Sequence, residues 1–342
     1  MKTLIVGSGL AGVTVAEALG KGARQDVMLV TAETSGYYSR PRLSHGIALG
    51  DDAAAKIVLK RFDSLAGVRV LAGVQAWRLD RPKRAVILES GERLAYDKLV
   101  LATGSAARIP PVLAVSRPNF LLLNSYEDLL TLRRRRAKVL ARGAQPRWAV
   151  IGGGLIGCEL ASDLNKAGDG VTIFHRESRL VELQLSEPQS RSLHEHLAAK
   201  GVVMRYGEDV RAVYPGVVLT AAGEVGTFDG IIVSTGFAPR IELAKEAGLE
   251  TARGIVVDEY LRTADPAIYA VGDVAEVRSR LYAFVSPIRS QALWLAEHLL
   301  GRTEAPWAVP AFTPVLKVHG FKVEPSGNAS IPGVAPRASL PG

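Results

Sequence analysis

Thr3–Glu33, TLIVGSGLAGVTVAEALGKGARQDVMLVTAE, is the stretch around which the chain is organised. Leu4-Ile5-Val6 is a short apolar run of the kind that makes a buried strand. Gly7-x-Gly9-x-x-Gly12 follows at once and opens a helical run from Val13 to Leu19. Each glycine meets a separate steric need. Gly7 permits the tight turn, Gly9 lets the backbone approach a pyrophosphate, and Gly12 allows close packing of helix on strand. Leu10 and Ala11 lie inside the turn, at the positive end of the helix where an anion is held. A second strand, Val27 to Val30, delivers Glu33 about 20 residues beyond the glycines, where a carboxylate accepts the hydrogens of a ribose diol. The stretch therefore predicts a dinucleotide site with an unphosphorylated adenosine ribose.

The pattern recurs at Ile151-Gly152-Gly153-Gly154-Leu155-Ile156-Gly157, followed by a helix to about Lys166 and a strand Val171 to Phe174. Two dinucleotides are expected, the second with Gly152, Gly154 and Gly157 as its glycines and Leu155 and Ile156 within its turn. At the position taken to correspond to Glu33 stand His175 and Arg176, with Arg179 nearby. These cations would suit a 2′-phosphate, as NADPH requires, whereas retention of Gly157 favours NADH, so both remain open.

Between and after these turns come other stretches that a ligand could meet. Tyr37 to His45 carries Arg40, Pro41 and Arg42 and is a candidate cofactor-lining loop. The strand Lys98 to Ala102 ends in Ala102-Thr103-Gly104, and a later one in Ser234-Thr235-Gly236, small-residue turns that admit a ligand closely. Gly272-Asp273 ends another strand, its aspartate meeting a polar ligand. Gln75 to Leu79 and Ala85 to Leu88 read as a small antiparallel insertion. Residues 126–142 read as a helix whose Arg133 to Arg136 fan around it, so that at least one stem lies along the body of the chain. Residues 289–300 read as a final helix, Phe312 to Lys317 as a strand-like run with one cation, and the residues after Pro325 as a flexible tail.

Composition limits the chemistry. The 342 residues are 48% hydrophobic and 22% charged, enough for a large core and two or three domains. The one cysteine, Cys158, excludes an intrachain disulfide, a redox pair or a cysteine-ligated cluster. The six histidines show no metal spacing, and His194 and His196 read as surface or partly packed. A net charge of +8 favours a small acidic protein partner, since no nucleic-acid-reading element is present. A strand beginning at Thr3 leaves no room for a signal peptide, no apolar stretch is long enough to span a bilayer, and a cytoplasmic location is expected.

These marks in this order resemble the FAD-dependent pyridine nucleotide oxidoreductases. Tyr38-Ser39-x-Pro41-x-Leu43-Ser44, Gly152 to Glu159, Gly254-Ile255-Val256-Val257-Asp258 and Pro287-Ile288 are similar to the rubredoxin and flavorubredoxin reductase branch. The resemblance implies an α/β fold of two Rossmann-like domains, glutathione-reductase-like, with a short C-terminal interface domain. Residues 1–112 and 241–305 would form the FAD domain, 113–240 the NAD(P)H domain, and 306–325 what remains of the interface domain, with 326–342 as tail. It implies that Gly7, Gly9, Gly12 and Glu33 hold the FAD adenosine and pyrophosphate, that Asp273 bonds the ribityl chain, and that the second glycines hold NADH or NADPH. Glu159 would sit near the nicotinamide and Lys317 near the flavin N1 and C2 carbonyl; with Arg40 they are the residues expected at the reacting end.

The implied activity is transfer of electrons from NAD(P)H through FAD to rubredoxin or a similar small iron carrier. Ferredoxin reductase, NAD(P)H oxidase and quinone reductase activities are alternatives on the same scaffold, and a non-catalytic nucleotide-binding protein is an alternative of another class. The chain departs from related branches at several positions: no reactive cysteine pair, His45 and Val285 where aromatic-dioxygenase ferredoxin reductases usually carry lysine and tryptophan, and Arg40 where rubredoxin reductases usually carry lysine. The short last domain predicts a monomer or weak dimer.

Overall fold

The computed structural model describes residues 1–22, 26–50, 55–313 and 315–323; the expected tail lies outside them. Two parallel sheets dominate. The first runs Ile268–Ala270, Lys98–Leu101, Lys2–Val6, Asp26–Thr31, Val68–Ala72, with every neighbouring pair parallel. Its strands are continuous apolar runs because helices cover them; Leu4, Ile5, Leu29, Leu99 and Val100 are fully buried. Helix Leu10–Gly20 leaves the first glycine turn and packs against helix Val285–Leu299, which begins before the expected residue 289.

The second sheet repeats the pattern with four strands, Val203–Tyr206, Gly170–His175, Arg147–Ile151 and Gly230–Val233, all parallel. Helix Leu155–Lys166 leaves its glycine turn. The antiparallel insertion is present as Ala76–Asp80, Ala85–Leu88 and Arg93–Ala95. Val217–Thr220 belongs to a second antiparallel trio with Val210–Tyr214 and Gly223–Val225 and not to the parallel sheet.

A two-stranded antiparallel ribbon, Ser105–Ala107 with Phe237–Pro239, joins the two halves just beyond the small-residue turns. The join is reciprocal. Thr103 Oγ1 donates to the carbonyl of Arg240 at 2.8 Å, and Thr235 Oγ1 donates to that of Arg108 at 2.7 Å. The main-chain N–H of Arg108 donates to Gly236 and that of Arg240 to Gly104, both at 2.9 Å. Each turn thus caps the strand that leaves the other.

Helix Tyr126–Leu140 opens with a capping box between Ser125 and Asp128. Of its arginines, Arg136 forks onto the buried Asp169 at 2.9–3.1 Å, and the indole N–H of Trp148 donates to the same carboxylate at 2.9 Å. The run 312–317 forms no strand among the described residues. It leads into a segment that lies along helix Leu155–Lys166, with Leu316 and Val318 buried among that half's core residues. A helix offers no row of backbone partners, so alternation of apolar residues here produced a docked segment without regular structure instead of a sheet edge.

Asp169→Ala would strand a buried guanidinium and an indole N–H together, a loss of about 3–5 kcal/mol. Urea unfolding of the variant should show a lower midpoint, and a change under about 1 kcal/mol would mean that Arg136 finds water instead.

Candidate functional site

The two glycine turns open into one cavity of about 2420 Å³ between the sheets. Their steric logic is the same. Gly7 holds φ +107°, and a Cβ there would lie 2.2 Å from the Ala102 carbonyl oxygen; Gly152 holds φ +114° with the Ser234 oxygen at 2.2 Å. The third glycines are closed by the fold itself: a Cβ on Gly12 would meet the Gly7 oxygen at 1.8 Å, and one on Gly157 the Gly152 oxygen at 1.9 Å. The middle glycines are different. A Cβ on Gly154 would have nothing within 4 Å, and one on Gly9 would meet only the tip of Arg40 at 3.0 Å.

Gly9 and Gly154 are also the N-caps of their helices, extended and with no side-chain cap. Uncapped N–H groups at a helix start are anion receptors, so each turn presents donors and a positive dipole end to open space. Both cradles fit the pyrophosphate of a dinucleotide.

Of the residues expected at the site, Gly7, Gly9, Leu10, Ala11, Glu33, Arg40, Pro41, Ala102, Thr103 and Gly104 line the cavity on the first half. Gly152, Gly154, Leu155, Ile156, Glu159, His175, Arg176 and Gly236 line it on the second, and Gly272, Asp273 and Lys317 lie between. Gly12 and Gly157 are not on its wall and act by packing alone. Glu33 Oε1 accepts from the Tyr38 hydroxyl at 2.6 Å and from Arg40 Nη2 at 3.2 Å, while Arg40 Nε holds the carbonyl of Asn124 at 3.1 Å.

Asp273 follows the strand Ile268–Ala270 in a short 3-10 turn, Gly272–Val274, opened by Gly272 with φ of +85° at the cavity wall. Burial pushes its carboxyl above the usual carboxylate range, opposed by the Ser105 hydroxyl at 2.8 Å and by the guanidinium charges of Arg40 and Arg240. Glu159, on the first turns of helix Leu155–Lys166, is likewise raised by burial, opposed by the main-chain N–H of Lys317 at 2.8 Å and by the Lys317 ammonium. Burial lowers the Arg240 guanidinium, whose nearest hydrogen bond is to the Thr103 carbonyl at 3.3 Å. Arg240 was missed in the sequence because it lies beyond a turn read only for its glycine.

The strand registers correct one correspondence. Val6 pairs with Val30 in the first sheet and Ile151 with Phe174 in the second, and Gly7 and Gly152 donate to the carbonyls of Val30 and Phe174, each at 2.8 Å. Counting on, His175 matches Thr31, Arg176 matches Ala32, and Glu177 matches Glu33. His175 is buried, and its Nδ1 accepts from the main-chain N–H of Gly153 at 3.1 Å, as the Thr31 hydroxyl bonds Ser8 at 2.8 Å in the first half. Its ring therefore braces the turn and is not free for a phosphate. Arg179 is turned toward the carbonyls of Glu182 and Leu185, both at 2.7 Å. Arg176 is exposed and bonded to Glu177 at 2.9 Å. The acid stands in the sequence one residue past His175-Arg176, but counting from the glycine turn lands on Ser178, and the strand register is what selects Glu177.

The histidines also gather in a way that spacing concealed. His45, Asp163 and His319, from three separate segments, place their donor atoms within 4.8 Å of one another.

Residues 1–291 match the sequence pattern of the family described as pyridine nucleotide-disulphide oxidoreductase. The chain is 34% identical over 333 residues to the nitric oxide reductase FlRd-NAD(+) reductase of Salmonella gallinarum (strain 287/91 / NCTC 13346), covering 92% of this chain and 84% of that one. Among solved structures it is similar to putidaredoxin reductase in its covalent complex with putidaredoxin, with a TM-score of 0.82, 32% identity and coverage of 93% and 79%. It is also similar to NADH:rubredoxin oxidoreductase from Clostridium acetobutylicum, with a TM-score of 0.77, 26% identity and coverage of 93% and 80%. No helix among the described residues is long and apolar enough to cross a membrane.

Two expectations follow from the geometry. Gly154→Ala should keep the thermal midpoint of the wild type yet weaken pyridine nucleotide binding in calorimetry, whereas Gly157→Ala should lower the midpoint itself; equal midpoints would contradict the steric division. Ionised Asp273 costs stability, because its proton is held more tightly folded than unfolded. That stability is fully present below the ordinary value of 3.8 and is lost as pH rises through the raised folded value. Asp273→Asn should therefore unfold at higher denaturant than the wild type at pH 7 in the cofactor-free protein, the gap closing toward pH 3.

Proposed function

Since the chain belongs to the pyridine nucleotide-disulphide oxidoreductase family, we propose that it is an FAD-dependent NADH oxidoreductase that passes electrons to a small iron protein of the rubredoxin kind. One observation carries the reading: two glycine cradles, each followed by an acid just past the second strand of its half, open into a single cavity that Asp273, Glu159 and Lys317 also line. A bound flavin would supply hydride acceptance from NADH and one-electron release, chemistry that no side chain of this chain supplies.

The chain's own residues bind and orient. Gly7, Gly9 and the open start of helix Leu10–Gly20 take the FAD pyrophosphate, with Arg40 and Arg240 as the cations beside it and Glu33 on the adenosine ribose. Asp273 takes the ribityl hydroxyls. Gly152, Gly154 and the start of helix Leu155–Lys166 take the NADH pyrophosphate, and Glu159 accepts from the nicotinamide carboxamide. Lys317 would supply a cation beside the flavin ring, an electrostatic contribution that would favour its reduced state. In this reading residues 1–112 with 241–305 bind FAD, 113–240 bind NADH, and the described part of 306–325 closes the cavity between them.

Glu177 decides the nicotinamide. Its carboxylate accepts a ribose diol and repels a 2′-phosphate, so NADH is the donor and Arg176, tied to Glu177, is not a phosphate reader. The net charge of +8 steers an acidic carrier toward the protein, which affects association rate more than affinity.

The deciding experiment is anaerobic reduction of the purified, FAD-loaded protein by NADH and by NADPH, followed by mixing with rubredoxin and with a ferredoxin. Bleaching of the flavin by NADH and reoxidation by rubredoxin are expected, the latter slowing as salt rises; a protein that cannot be loaded with FAD would sink the assignment. Glu177→Ala should move kcat/KM toward NADPH by roughly tenfold, the change that about 1.4 kcal/mol of lost repulsion gives. An unchanged NADPH/NADH ratio would remove Glu177 from the ribose.

A further inference from the structure

Helix Leu155–Lys166 presents Glu159, Ser162 and Asp163 on one face, as spacings of three and four residues require. The segment Leu316–His319 lies along that face without regular structure and enters a turn at His319. Leu316 and Val318 are buried, at 7% and 4% exposure, while the main-chain N–H groups of Lys317 and His319 turn the other way onto the helix. Lys317 N–H donates to Glu159 Oε1 at 2.8 Å, and His319 N–H to Ser162 Oγ at 3.0 Å. The His319 imidazole then reaches Asp163 Oδ1 through Nε2 at 2.6 Å.

Asp163 is shared. His45 Nδ1, from the loop that also carries Arg40 and Pro41, meets both its oxygens at 2.9 and 3.0 Å. A carboxylate only accepts, so both ring nitrogens are donors, which fixes His45 with hydrogen on Nδ1 and His319 with hydrogen on Nε2. The back of His319 is also engaged: His196 Nε2 donates to its carbonyl at 2.8 Å, Lys200 Nζ donates there as well, and Lys166 Nζ stands 3.5 Å from Nδ1.

Two imidazoles and a carboxylate are also the donor set of a metal site. Here the Lys166 ammonium faces the far nitrogen of His319, where a metal-bound imidazole would carry a hydrogen and seek an acceptor. The 2.6 Å separation of Nε2 from Oδ1 is a hydrogen-bond length, shorter than two ligands at about 2.0–2.2 Å around a tetrahedral ion would show. The arrangement is a hydrogen-bonded anchor.

We propose that Asp163 and His319 are positioning residues: they clamp the C-terminal segment to the nucleotide helix and thereby hold Lys317 in the cavity, while His45 ties the Arg40 loop to the same carboxylate. The segment has no sheet to register it, and Lys317 is two residues before the clamp, so the position of its ammonium depends on that bond. This rests on the reading that Lys317 serves the flavin. It adds that Lys317 acts only while His319 holds Asp163.

The test compares FAD-loaded wild type, Lys317→Met, His319→Ala, His319→Gln and the Lys317→Met/His319→Ala double variant by midpoint potential against reference dyes, with bound FAD and thermal midpoint as controls. His319→Ala should lower the potential in the same direction as Lys317→Met and slow reduction by NADH by roughly tenfold, as misplacement of a catalytic group does. His319→Gln, which keeps a donor, should recover most of the wild-type potential. The double variant should match Lys317→Met alone, because residues acting through one another are not additive. If Lys317→Met shifts the potential and His319→Ala does not, the positioning is overturned and the lysine's place stands. If Lys317→Met leaves the potential unchanged, the lysine's place falls and the proposal with it. Stoichiometric zinc uptake by the wild type that is lost in His319→Ala would overturn the anchor in favour of a metal site.

Discussion

The reciprocal join between the two halves is the constraint on which the site depends. Each nucleotide-binding half is a sheet whose strands end at the cavity, and either would be open on that side by itself. The ribbon of Ser105–Ala107 with Phe237–Pro239, closed by Thr103 on Arg240 and Thr235 on Arg108, sets the two glycine turns to face one another across one space. Both threonine bonds are solvent-exposed, so loss of one hydroxyl would leave its carbonyl to water at a small energetic loss while removing one of the ties between the halves. Hydride transfer needs reacting atoms within about 3–3.5 Å, so this join links fold to chemistry more directly than any core contact.

Buried charge is concentrated around that space. Positive φ at Gly7, Gly152 and Gly272 bends the backbone at the cavity wall, and two carboxylates, Glu159 and Asp273, are held there against burial. These features weaken the cofactor-free protein and are offset by the two apolar cores and by buried pairs far from the cavity, such as Arg136 with Asp169. Raised carboxyls in a cleft are the mark expected of groups that meet a ligand.

The C-terminal segment shows how an element without regular structure is made specific. Its apolar alternation buries Leu316 and Val318, and its polar edge matches the i, i+3, i+4 face of a single helix. Five hydrogen bonds converge on Lys317 and His319 from Glu159, Ser162, Asp163, His196 and Lys200. The contact also brings the His45 loop into the same network, so segments of the first and second halves share one buried carboxylate.

Sequence alone determined the two strand, glycine turn and helix units, the acid after the first, the small-residue strand ends and the Gly-Asp turn, because each is a pattern written in adjacent residues. Gly12 and Gly157 are needed because a Cβ would strike the carbonyl of the glycine that opens the same turn, whereas Gly7 and Gly152 face the carbonyls of Ala102 and Ser234, so the motif is local although part of its steric reason is tertiary. Tertiary structure decided everything that depends on register or on meeting from afar. Only the pairing of Ile151 with Phe174 moved the ribose position from His175 and Arg176 to Glu177. The strand expected at 312–317 gave way to a segment docked on a helix, and His45, Asp163 and His319 met from three separate stretches of chain. Such encounters are set by the packing of whole sheets and helices, and no spacing along the chain encodes them.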